Sequence, residues 1–185
     1  MKNRIKISTD GINVYATLDV NASKIGVRIL GVMLFVEIIV VLILLSQVKP
    51  DEIISMIIPI VLVLIFFIGL PIKYFLWNVY GKEELIVNAK SISWAYDYGF
   101  FKTNLKTVNY DRLGTGYERV QILNDEELGK LIFYNYRESD NLQEMIHSTT
   151  VLLKKDEIEV FDRKISEVFS NELLDSNGFI PFSIN

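Results

Sequence analysis

The sequence holds no cysteine and only one histidine, His147. Without thiols it can form no disulfide, thiolate nucleophile or sulfur-bound metal site, and a lone imidazole excludes multi-histidine centres. Clustered positive charge is missing too. Its 19 Lys and Arg residues are scattered among 23 Asp and Glu, giving a net charge of -4 and no footprint for nucleic acid. The surroundings of Ser148 lack the elbow glycines of an acyl-transfer nucleophile. The Gly114-Thr115-Gly116 piece lacks the third glycine and the strand-to-helix setting of a phosphate loop. The acidic groups at 125–127 and 156–159 fall in a turn and at a helix start, where solvation and the helix dipole already favour carboxylates. Taken together, these absences predict a non-catalytic protein with no cofactor, no metal and no evident small-molecule substrate.

Apolar residues are abundant. Half the chain is hydrophobic and the mean hydropathy is +0.29, high for a water-soluble domain. The surplus lies in two runs, 29–48 and 53–72, separated by a short polar piece at 46–52. Each matches the roughly 20 residues needed to cross a hydrocarbon layer of about 30 Å. The first run begins too far from the N-terminus, and is too long, for a cleaved signal core. A two-helix membrane hairpin is therefore predicted, with the lipid bilayer as its first partner. Lys2, Arg4, Lys6, Lys24 and Arg28 precede the first run, Lys49 alone lies in the turn, and Lys73 and Lys82 follow the second. By the positive-inside rule both termini should be cytoplasmic, on the inner face of a cell membrane.

Within the hairpin, Glu37 lies about 13 Å along the helix from Arg28. A mid-membrane carboxyl is costly and usually faces protein, which makes Lys73 on the returning helix its candidate partner. The pair would set how the helices face each other, or serve as a relay or a handle for a partner helix. Pro59 and Pro71 interrupt the second run, with a bend expected near Pro71. Tyr74, Trp77 and Tyr80 read as an interfacial aromatic belt.

Outside the hairpin the pattern becomes strand-like. Segments 4–7 and 12–18 flank Asp10-Gly11, a two-residue hairpin signal. Because an isolated hairpin is marginal in water, it should pack on the C-terminal part or on a partner. After Gly81, period-two alternation predicts antiparallel strands at 84–88, 91–98, 100–110, 117–123, 130–137 and 148–153, with turns or polar connections at 111–116, 124–129 and 138–147. His147 would sit on the surface at a loop-to-strand junction. Ile158, Phe161, Ile165, Val168 and Phe169 form the stripe of a closing helix, with Asp156 and Glu159 as its capping box. The aromatic strands should mainly fill a core. Trp94, Tyr96, Tyr98 and Tyr117 are nevertheless the candidates for a peptide- or lipid-binding face, next to an edge strand open to strand addition. The expected layout is a hairpin at 1–22, the membrane helices at 23–80, a β domain with its helix at 81–172, and a loosely held tail at 173–185.

The segment Trp77-Asn78-Val79-Tyr80-Gly81-Lys82-Glu83-Glu84-Leu85-Ile86-Val87-Asn88, followed at 156–169 by the closing helix, resembles the bacterial membrane-anchored pleckstrin-homology-like proteins of the YcxB-like type. The resemblance implies a small antiparallel β roll plugged by the helix and used for binding lipids or proteins. Lys102 and Lys106 are the only nearby candidates for a headgroup cluster, so that of the eukaryotic relatives has no match here. The function expected is a membrane-anchored binding or scaffold module that holds a protein partner or a second copy of itself. The alternative is an immunity or transporter-accessory protein working through its helices and Glu37.

Overall fold

The computed structural model describes residues 4–49, 53–123, 126–139 and 142–172, without the side chains of 53, 54, 56 and 170–172. The centre of the expected inter-helix turn, residues 124–125 and the tail at 173–185 lie outside the described residues. The chain divides into two units. One consists of Asn21–Gly81 with Tyr98–Phe100, and the other of the strands and the last helix.

In the first unit, α1 spans Lys24–Ser46 and the returning helix runs through α2 (Ile53–Val63), a π-helical segment (Leu64–Gly69) and α3 (Leu70–Tyr80). The wide turn closes where the Leu70 N–H donates to the Ile65 carbonyl, five residues back. Pro71, which has no N–H to give, follows directly, so the expected irregularity lies just upstream of the proline. The helices meet where Gly31, lacking a Cβ, receives the Phe75 ring, and only Val41 of α1 is buried. Elsewhere both helices expose large apolar side chains, such as Phe35, Ile43, Ile58 and Phe66. Lys24–Ser46 and Ile57–Tyr80 are thus two candidate membrane-spanning helices by length and hydropathy, unburied and consistent with insertion in a bilayer.

The second unit contains two antiparallel sheets. The first runs in sequence order: β1 (Ile5–Thr9), β2 (Val14–Asp19), β3 (Lys82–Val87), β4 (Ser91–Asp97) and β5 (Lys106–Asn109). The N-terminal hairpin is completed by sequence from beyond the helices, since β2 pairs with β3 in the register Val14↔Val87 to Asp19↔Lys82. The second sheet orders β6 (Arg112–Leu123), β7 (Glu126–Tyr136) and β8 (Gln143–Ser148), and β7 also pairs with the short β9 (Leu153–Lys154). The last helix, α4 (Lys155–Glu172), contacts β2, β6, β7 and β9. Its stripe of Ile158, Phe161, Ile165, Val168 and Phe169 is buried, and Phe161 meets Phe133 of β7 edge to face at 6.3 Å.

Four local expectations are corrected. The β1–β2 loop has four residues, because Asp10 Oδ1 accepts the N–H groups of Ile12 and Asn13 and so extends the turn beyond Asp10-Gly11. Residues 112–116 are strand, not turn. Gly114 and Gly116 lie beneath the rings of Tyr136 and Tyr134, which occupy the space that side chains at those positions would fill. The strand expected at 148–153 is β8 at Gln143–Ser148, followed by an irregular segment and β9. Finally, the cap involves Glu157 in place of Glu159. From the third helical position its Oε2 accepts the Lys154 N–H at 3.0 Å, while its Oε1 accepts the Arg4 N–H at 2.7 Å.

Candidate functional site

In β3 the pattern of Glu83, Leu85 and Val87 puts three alternate residues on the buried side. The carboxylate of Glu83 is therefore carried inward and is fully buried. Burial without partners would be prohibitive, and the fold supplies three. His147 Nε2 of β8 lies 2.8 Å from Glu83 Oε1, while Oε2 accepts the N–H groups of Thr150 at 2.7 Å and Val151 at 3.2 Å. The His147 ring is stacked on Trp94 at 4.3 Å and lies near-parallel to Phe133 at 6.2 Å. His147 is thus a core residue, 7% exposed, and not the surface histidine expected. A pair so enclosed offers no face to a substrate. Its work is to tie β3, β8 and the 149–152 segment together. The sequence signal for it was an acidic residue in phase with the inward positions of an alternating strand.

A second buried carboxyl lies on α4. Asp162 Oδ2 accepts the Thr115 hydroxyl at 3.0 Å, and Oδ1 has no hydrogen-bond partner among the described residues. Burial pushes this carboxyl up to about 6 against the opposing hydrogen bond from Thr115, with the negative charge of Glu159 adding to the rise. Among the described residues no three His, Asp or Glu side chains converge as metal ligands.

An open part of this unit is β6, an end strand of its sheet that pairs with β7. Its first half is buried at Leu113, Gly114 and Thr115, and its second half, Glu118 to Leu123, is exposed. Val120, Ile122 and Leu123 present apolar surface there, with Ile122 62% exposed. A bulge between Arg119 and Gln121 interrupts the ladder in the middle of this stretch. Tyr117 is half-buried, with its ring over Gly129 of the partner strand.

The other expected site residues do not assemble as foreseen. Trp94 is interior and offers no binding surface. Tyr96 is half-buried, its hydroxyl 3.4 Å from Thr150 Oγ1. Tyr98 packs on α3, 5.3 Å from the Trp77 ring, with Lys73 Nζ over its ring at 5.3 Å from the centroid. Lys73 is therefore engaged by an aromatic ring, and the expected Glu37–Lys73 pair does not form. Glu37 is half-exposed on α1, with no hydrogen-bond or ion-pair partner among the described residues. Sequence comparison gives no match to a family model or to a curated protein.

Proposed function

We propose that this protein is a membrane-anchored, non-catalytic binding module, held by its two helices on the cytoplasmic face of a bacterial membrane. Its β unit, a pleckstrin-homology-like roll of two sheets with α4 as the plug, would hold a protein partner or a second copy of the chain. The reading rests chiefly on the exposed half of β6, an end strand that carries Val120, Ile122 and Leu123 in water. Exposed apolar side chains beside an open strand edge suit binding by strand addition, in which main-chain bonds give affinity and side-chain pockets give specificity. The bulge and the charges of Glu118 and Arg119 limit indiscriminate pairing along the same edge.

Co-purification in mild detergent tests this. Val120→Lys with Ile122→Lys should abolish recovery of a partner protein, or of a tagged second copy, that the native chain retains. Equal recovery by both forms would refute a β6 interface.

One observation favours the second reading, in which the helices themselves engage an immunity target or a transporter subunit: Glu37 has no partner among the described residues of its own hairpin. An unpaired carboxyl in a candidate span is suited to a group on another helix. Under that reading Glu37→Gln removes the co-purified partner and the β6 substitutions do not.

A further inference from the structure

The loop between β4 and β5 turns away from water-loving sequence at Tyr98-Gly99-Phe100. These three residues cluster with the helices. Tyr98 lies against Trp77 and beneath Lys73, and Phe100 meets the Tyr80 ring edge-on at 5.6 Å. Gly99 makes the approach feasible. Its φ is +85°, and a Cβ there would fall 2.7 Å from Tyr80 Cβ. Although packed on one side, Phe100 remains 77% exposed, more than any other large apolar residue described.

We infer that this loop is a third membrane contact, with Phe100 seated at the boundary between lipid headgroups and acyl chains. The inference rests on the membrane reading given above. The helical stretch Ile57–Tyr80 has 24 residues, about 36 Å of helix against a hydrocarbon core of about 30 Å. Its final turn therefore extends into the headgroup layer. Tyr74, Trp77 and Tyr80 are the amphipathic rings that occupy that level, and Lys73 has the length to direct its ammonium there. Contact with Tyr80 brings Phe100 to the same depth. Lipid suits this surface better than a protein does because the exposed ring lies against Tyr80, which with Tyr74 is itself exposed at the helix end. An exposed phenylalanine at that level exchanges water for acyl chain, as the apolar side chains of interfacial anchors do.

The absence of cysteine makes the test direct. The full-length Phe100→Cys and Val36→Cys variants are each labelled with an environment-sensitive nitrobenzoxadiazole dye and reconstituted in phosphatidylcholine–phosphatidylglycerol vesicles. Lipids spin-labelled near the headgroup, or near the chain end, report depth. At position 100 the emission should be blue-shifted from that of the free dye in buffer, and quenched more by the shallow spin label than by the deep one. At position 36, in the middle of α1, the deep label should quench more. A water-like emission at 100 that iodide quenches, with 36 still deep, would overturn the inference and leave the anchor intact. Shielding from both iodide and spin-labelled lipid would also overturn it, by assigning the loop to a protein contact. If both positions were open to iodide, the membrane reading and this inference would fail together.

Discussion

Asp162 shows how one side chain can cost the fold stability at neutral pH. Its carboxyl, ordinarily near 3.8, is raised to about 6, so the folded state holds the proton more tightly than the unfolded chain does. The penalty is absent below pH 3.8, grows between the two values and is complete above about 6. Asp162→Asn should therefore stabilise the detergent-solubilised protein at neutral pH, by up to about 3 kcal/mol, with the gain vanishing as the pH falls to about 4. Denaturant titrations at the two pH values check the sign; a larger gain in acid would contradict it. Glu83 is the opposite case, a buried acid whose oxygens are all used. Glu83→Ala strands His147 and two backbone N–H groups, and should cost about 3 to 5 kcal/mol, read as a fall in unfolding midpoint.

At the scale of elements, β6 and β7 are held in register by rings lying over glycines. A Cβ at Gly114 would come within 2.4 Å of the Tyr136 ring, so Gly114→Val should destabilise the β unit by about 1 to 3 kcal/mol. Gly114→Val with Tyr136→Ala should recover part of that loss if the clash is its cause. The same glycines explain why this part of the sequence misleads. Gly114-Thr115-Gly116 has the composition of a turn, and only the cross-strand tyrosines reveal why a strand tolerates it. Other elements were legible from pattern alone. The two apolar runs, the alternation at 84–88 and the stripe of α4 each carry a periodicity that specifies one face. The 138–153 region carries none, and the strand expected at 148–153 lies instead at Gln143–Ser148. Two of its buried residues, His147 and Thr149, are polar and are satisfied by distant partners, Glu83 in one case and Leu131 in the other.

Over the whole molecule, two unburied apolar helices lie in the chain between β2 and β3, strands that pair as neighbours in one sheet. If the helices cross a bilayer, alkaline carbonate should leave the chain in the membrane pellet, and exchange of water for detergent should be required to extract it. Release by carbonate would reassign those helices to a surface contact. The sequence by itself determined what each segment prefers as solvent: runs too apolar for water, strands apolar on one side, a helix apolar along one stripe. Those preferences reside in single residues and their spacing, so one chain suffices to read them. Tertiary structure alone decided which segments meet. It paired β2 with β3 across the helices, drew Glu83 onto His147, separated Lys73 from Glu37 by giving it the Tyr98 ring, and left half of β6 in water. The physical reason is that a buried charge is tolerated only beside its partner, and partners distant in sequence become neighbours only when the chain has folded.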